Sequence, residues 1–338
     1  MSGQKIVFFD TWAEHKPYYT RRLKNVFNVA TEYTDEPLTE VTASRHQDAT
    51  IVSVSVTSDV SARALAKLPE LEYIASRSTG VNHIDTQAAD ASDVLVSTVP
   101  AHIEATVAEH TIMLLLALAR QLGETTQHVQ ARVVDHTQVT GFEVAGKTIG
   151  IVGCGRVGGY LSRVAAALGM DVIGYDPQQP PNEHIAYASF DHVLENSDIL
   201  SLHAPGNQET RHMMNADRLA QMKQGAVLLN TAAGDLIDTG ALIEALFSGH
   251  IGAAGLDVLE GEQLLRLDEE IALLHPDVSR QDLLLSTEHD ALLRMPNVII
   301  TPHNGFNSQE AIGRIRQETA ENIKQYLQHE PRNVVNKK

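Results

Sequence analysis

Short apolar runs alternate with segments of helical spacing along most of the chain, the pattern of a parallel sheet with helices on both faces. Lys5–Asp10 reads as a first strand and Lys16–Val26 as an amphipathic helix, followed by runs at 26–31, 49–56 and 73–76 and a helix over 61–68. A further strand falls at 94–98, and Pro100 marks a crossing to a second domain. Residues 104–121 are strong helix formers, apolar almost all round toward their end, so this helix is expected to be buried in the core, between domains or in a subunit interface. Residues 123–146 are polar and irregular and read as an arm or interface loop.

The second half repeats strand, loop and helix. Strands are expected at 199–203, 226–230, 251–258 and 298–301, with helices at 216–222, 239–247 and 308–327. Residues 260–295, charged and leucine-rich, read as a partly helical insertion. The fold class is therefore α/β, two doubly wound parallel-sheet domains: a Rossmann-type cofactor domain over 101–304, and a flavodoxin-like substrate domain from 1–100 and 305–338 with the active site in the cleft.

The segment TIGIVGCGRVGGYLSRVAAALGMDVIGYD, Thr148–Asp176, gives this pattern a chemistry. A strand runs into a GxGxxG turn, a helix and a second strand ending in an acid. Gly153 permits the tight turn, Gly155 admits a pyrophosphate to the backbone, and Gly158 lets helix pack closely on strand. Arg156 and Val157 lie over the diphosphate. Asp176, eighteen residues after Gly158, would accept ribose 2′-OH hydrogen bonds and repel a 2′-phosphate, so the cofactor is expected to be NAD rather than NADP.

Composition narrows the partners. Lys and Arg number 26 against 43 Asp and Glu, a formal net charge of -17, which argues against nucleic acid or an anionic membrane. The single cysteine, Cys154, allows no internal disulfide, and the 16 histidines lack paired ligand spacing, so no metal is assigned and a cytoplasmic location is expected.

A hydride cofactor leaves the protein to orient a carbonyl and move one proton. His303 follows the last strand at the sheet's ligand edge, and its imidazole titrates near neutrality. Glu262 could hold its tautomer and raise its pKa. Taken alone, His303 reads as structural and Glu262 as solvated, and the glycine loop after Arg77 reads equally as an ordinary strand–helix turn.

Further motifs add to this: Arg77–Asp85, Val107–His110, Asn230–Asp235, Gly255–Glu262 and Thr301–Asn304. With them the chain resembles the D-isomer-specific 2-hydroxyacid dehydrogenases over essentially its whole length. The resemblance implies an NAD-dependent oxidoreductase, a homodimer, that reduces a 2-oxo acid, pyruvate-like or larger, to the D-2-hydroxy acid. His303 would be the proton donor, Glu262 its partner, and the loop of Arg77, Ser78, Thr79, Gly80 and Val81 the substrate carboxylate site. Cofactor contacts would fall on Gly153, Gly155, Arg156, Val157, Gly158, Asp176, His203, Ala204, Pro205, Thr210, Thr231, Ala232, Ala233, Asp257, His303 and Gly305. Tyr18, His102 and Phe306 are candidates for the substrate side-chain pocket. The length of 260–295 is closer to the lactate and hydroxyisocaproate branch, and Glu262 stands where formate dehydrogenase has glutamine.

One position departs from the family pattern. Ala233 occupies the place of the family's catalytic arginine, and alanine offers no donor to a carboxylate. Impaired activity is expected. Three explanations stand: an engineered substitution that traps substrate, favoured because His303 and Glu262 are retained; a natural enzyme in which Arg77 or another cation substitutes; or a corepressor-like protein that senses NAD(H) without turnover. A purely structural dimeric scaffold is a further alternative.

Overall fold

The structure, a computed structural model, describes residues 3–100, 103–137, 139–266 and 279–336. The chain divides into two compact units, Met1–His102 with Ser308–Lys338, and Ile103–Asn307. His102, a candidate for the substrate pocket, lies outside the described residues, as do residues 267–278 of the expected insertion.

The first unit holds a five-stranded parallel sheet. Its strands are β1 (Lys5–Phe8), β2 (Ala30–Tyr33), β3 (Ile51–Val54), β4 (Tyr73–Ser76) and β5 (Leu95–Ser97), in the order β2-β1-β3-β4-β5. This is the flavodoxin-like order, whose direction of winding reverses between β1 and β3. One face is buried under Leu38, Leu65, Leu68 and Ala89. The other carries Ile6, Phe8, Tyr73 and Ala75 against Tyr19, Leu23, Ala320, Ile323 and Leu327, so the last helix, Gln309–Leu327, closes the first unit's core. The expected helix from Lys16 is α-helical over Lys16–Tyr19 and Asn25–Phe27, with a π-helical stretch, Thr20–Lys24, between them.

The second unit holds seven parallel strands: β6 (Thr148–Val152), β7 (Asp171–Tyr175), β8 (Ala186–Tyr187), β9 (Ile199–Leu202), β10 (Ala226–Asn230), β11 (Ile251–Leu256) and β12 (Val298–Ile300). Their order, β12-β11-β10-β9-β6-β7-β8, reverses between β6 and β9, and the carboxyl ends of those two strands are where such a sheet takes a ligand. The apolar helix Glu104–Ala119 packs one face into the core and leaves Met113 and Leu116 exposed on the other. It buries Ala108, Leu114, Leu115 and Leu118 against Ile149, Ile151 and Leu229. Residues 123–146 are not wholly irregular: Leu122–Gln130 is a helix with no buried residue, which is why hydrophobic periodicity gave no sign of it. Among the described residues no helix is long and apolar enough to cross a membrane.

Candidate active site

The glycine turn has the form its residues require. Gly153 has φ of +90°, and a side chain there would run into the main chain of His203 and Ala204, so the loops after β6 and β9 meet at the reversal point. A Cβ on Gly158 would strike the Gly153 carbonyl and lie 3.0 Å from Ile151 Cγ2. At Gly155 a Cβ would meet nothing, so the main chain there is open to a close approach by phosphate. Gly155 precedes the helix Arg156–Ala167, whose first N–H groups and dipole favour an anion. Val157 is the second residue of that helix and remains partly accessible.

Asp176, just past β7, accepts the Cys154 N–H at 2.9 Å through Oδ2 and the Gln178 N–H at 2.8 Å through Oδ1. Each oxygen keeps lone pairs for a sugar hydroxyl, so the residues present fit an adenosine diphosphate with an unmodified ribose. Across the reversal point His203 is neutral. Burial pushes its pKa down to about 4, and Nε2 lies 2.8 Å from Ser201 Oγ. Ala204 is buried and Pro205 exposed, and the Pro205 carbonyl accepts the Thr210 hydroxyl at 2.6 Å, which closes the loop between them.

The loops after β10, β11 and β12 carry the remaining candidates. Thr111 bonds the Val107 carbonyl at 2.8 Å and lies 2.9 Å from Thr231 Oγ1, fixing the start of the β10 loop to the core helix. Asn230 then bridges the loop, donating to the Ala233 carbonyl at 2.7 Å and accepting the Ala232 N–H at 3.1 Å. Ala233 is 8% exposed in extended backbone, φ −152° and ψ 138°.

His303 follows β12 with φ of +52°, an uncommon conformation for a residue with a side chain. Its N–H is held by the carbonyls of Asp257 and Thr301, both at 2.9 Å. Nδ1 stands 2.7 Å from Glu262 Oε1. Burial alone would lower the imidazole pKa, but the Glu262 hydrogen bond and charge, with the charge of Asp257, outweigh it and hold the pKa above its ordinary 6.5. The pair thus holds the imidazole toward its protonated form through Nδ1. Phe306 lies edge-on to that ring, 6.4 Å between centroids.

Asp257 organises this corner. Its carboxylate is 2% exposed and accepts the Asn304 and Gly305 N–H groups at 2.7 Å each and the Thr301 hydroxyl at 2.5 Å. His110 Nε2 lies 3.2 Å from the same carboxylate and 2.9 Å from Thr301 Oγ1. Burial would raise the Asp257 pKa, and these donors outweigh it and hold it below the ordinary carboxylate value. The sequence drew His110 and Thr301 into motifs without giving them a task. Their meeting spans 191 positions, which local periodicity does not carry.

In the first unit, Arg77 is committed to its own sheet. Its Nη2 donates to the Phe9 and Asp10 carbonyls at 2.6 and 2.9 Å, and Nη1 to Ser53 Oγ at 3.0 Å. Ser78 Oγ donates to the Gly80 carbonyl at 2.7 Å and Thr79 Oγ1 to the Val99 carbonyl at 3.1 Å. These bonds shape the Ser78–Val81 loop. A Cβ at Gly80 would meet nothing, and Val81 packs partly buried against the unit's core. Tyr18 also belongs to this unit, with an arginine on its ring.

Comparison with known proteins decides the family. Residues 112–305 match the model of the NAD binding domain of D-isomer specific 2-hydroxyacid dehydrogenases. The chain belongs to the D-isomer specific 2-hydroxyacid dehydrogenases. It is 37% identical to a D-specific alpha-keto acid dehydrogenase of Enterococcus faecalis over 82% of this chain and 84% of that one. It is 32% identical to the D-lactate dehydrogenase of Escherichia coli over 94% and 95% of the two chains. The D-lactate dehydrogenase from Aquifex aeolicus, solved with NAD and lactic acid, superposes with a TM-score of 0.83 at 30% identity, covering 96% of each chain. This dehydrogenase is therefore an NAD-dependent oxidoreductase of D-2-hydroxy acids with two parallel-sheet α/β domains. The matches favour turnover over NAD sensing without it.

Proposed function

We propose that this dehydrogenase reduces a 2-oxo acid, pyruvate-like or larger, to its D-2-hydroxy acid, with His303 as the proton donor. The observation that carries the reading is the 2.7 Å contact between His303 Nδ1 and Glu262 Oε1 at the carboxyl edge of the second sheet. When bound, NADH supplies the hydride to C2 of the oxo acid. His303 then gives the proton on Nε2 to the oxygen of that carbon, and Glu262 stabilises the imidazolium beforehand and fixes the ring's orientation. Asp257 holds the backbone of 303–305 through the two amides it accepts. In the first unit, amides of the Ser78–Val81 loop take the substrate carboxylate.

Gly153, Gly155, Arg156, Val157 and Gly158 hold the pyrophosphate, Asp176 the ribose, and the loops of 203–210 and 231–233 the rest of the cofactor. Ala233 leaves the oxo acid without a forked cation, and the activity is reduced for that reason. The protein works as a cytoplasmic homodimer. Met113 and Leu116 on the core helix, with Leu122, Val129, Val133 and Val134 beyond it, are exposed apolar side chains that a partner would cover.

The test is NADH oxidation against a panel of 2-oxo acids, with the chirality of the product determined. Formation of the D-isomer supports the reading. NADH binding without turnover of any acid, with Ala233→Arg equally inactive, would sink it.

A further inference from the structure

In the first unit the winding reverses between β1 and β3, so by the rule for open α/β sheets a ligand belongs at the carboxyl ends of those strands. The groups gathered there are cationic. Arg77 is anchored to the main chain just past β1 and to Ser53 of β3. Arg316, from the first half of the closing helix, lays its guanidinium 4.6 Å from the centre of the Tyr18 ring, and Arg22 stands 5.2 Å from that ring. His15, which follows the β1 loop, has its pKa lowered by burial and by the charges of Arg316 and Arg77 against the opposing charge of Glu14, so both arginines lie within electrostatic reach of it. Trp12 flanks His15 at 5.4 Å and is half exposed.

The acids in this region act on Arg77 and His15. Asp10, which accepts from the hydroxyls of Ser55 and Thr57, sets its charge against Arg77, and Glu14 lies 3.9 Å from the ring of His15. Arg316 is left over. Its Nε is buried with no hydrogen-bond partner, and among the described residues no carboxylate lies within ion-pair distance of it. A buried guanidinium nitrogen without an acceptor costs free energy, and in a chain of net charge -17 an unpaired arginine at a ligand edge is out of keeping with its surroundings.

We propose that Arg316 binds a second carboxylate on the substrate, so that the preferred 2-oxo acid is a diacid. The proposal rests on the dehydrogenase reading above and makes it specific. Arg77 precedes the Ser78–Val81 loop directly, so both carboxylate-binding elements stand on the same sheet edge of one unit. The planar fork of Arg316 suits bidentate capture of a carboxylate, and Tyr18 beneath it holds the plane of the guanidinium.

The experiment is calorimetric titration of the protein saturated with NAD+, which has no hydride to give, with 2-oxoglutarate and with 2-oxopentanoate, which has the same chain length and lacks the distal carboxylate. The diacid is expected to bind at least about tenfold more tightly, the worth of one charge-assisted contact. Arg316→Met should abolish that ratio, and Arg316→Lys should keep part of it. Equal binding of the two acids by the unmodified protein, or a ratio unchanged in Arg316→Met, overturns the proposal. If Arg316→Met fails to fold, the ratio in the unmodified protein and in Arg316→Lys decides. Failure of the dehydrogenase reading looks different: Ala233→Arg would oxidise NADH with neither kind of acid. Reduction of monoacids but not diacids by that variant leaves the dehydrogenase standing and removes the role of Arg316.

Discussion

The Nδ1 of His303 and the Oε1 of Glu262 are 2.7 Å apart, joining the loops that follow the last two strands of the second sheet. With His303 as the proposed proton donor, reduction needs its imidazole protonated, and the rate should fall as pH rises through its raised pKa. In Glu262→Gln the hydrogen bond to a charged partner is gone, and the fall moves to lower pH. At about pH 8, kcat/KM should drop by about tenfold to a hundredfold. A pH limb that stays in place would remove Glu262 from the proton transfer. Stability carries the same sign. The pair's contribution is fully present below the unfolded histidine value of 6.5 and is lost as pH rises through the folded one. The thermal midpoints of the two proteins should therefore converge on the alkaline side.

Restoring the fork at position 233 should raise activity. Ala233 lies in extended backbone that accepts any side chain, and its carbonyl is held by Asn230 whatever that side chain is. Ala233→Arg is expected to increase kcat/KM for 2-oxo acids by about thirtyfold to several thousandfold, the worth of a buried charge pair at 2–5 kcal/mol. Stopped-flow measurement of NADH oxidation checks this, and a change below threefold would show that another group already does the arginine's work.

Asp176 is the proposed determinant of cofactor preference, acting by charge. With both oxygens oriented by the amides of Cys154 and Gln178, Asp176→Ala removes a hydrogen-bond acceptor for ribose and a repulsion against a 2′-phosphate. The ratio of NADH to NADPH affinity should fall by at least about tenfold. Fluorescence titration with both cofactors measures it, and an unaltered ratio would assign the discrimination elsewhere.

Gly158 packs the phosphate-binding helix against its strand. Gly158→Ala places a methyl against the Gly153 carbonyl and Ile151, which should cost about 1–3 kcal/mol and lower the urea midpoint. NADH should bind more weakly as well, because the displaced main chain is the one proposed to hold the diphosphate. Unchanged unfolding would mean that the helix shifts at no cost.

The exposed apolar side chains of the core helix bear on assembly. Met113 is 46% exposed and Leu116 38%. Replacing both with glutamate should convert a dimer to monomers in sedimentation velocity, and a dimer that persists would put the interface on another surface.

Much of this was legible because parallel strands buried on both faces are written as unbroken apolar runs. β6 and β10 fall on Thr148–Val152 and Ala226–Asn230 as read, and so does the helix Thr239–Phe247. Elements without such a signal were lost. β8 is two residues long, Phe190–Asn196 was passed over despite Ser189 capping it, and Leu122–Gln130 buries nothing. At the site, the glycine turn and its acid are local in sequence and could be read. The convergence of His110, Thr301 and Asp257 could not, because the pairing of β11 with β12 brings Asp257 to Thr301 and the packing of the helix Glu104–Ala119 brings His110 to both. Arg316 gave no sign either: an arginine on an amphipathic helix looks solvated until its buried Nε is seen.

The first sheet's Ile6, Phe8 and Tyr73 share a core with Ala320, Ile323 and Leu327, whereas among the described residues the second unit's clusters draw on residues between Ala108 and Ile300. On the ribosome the N-terminal strands emerge first, yet they are roofed last, after the whole of the other unit has been made. A nascent chain stopped short of Ala320 leaves the apolar face of Ile6, Phe8 and Tyr73 without the side chains that cover it in the folded unit.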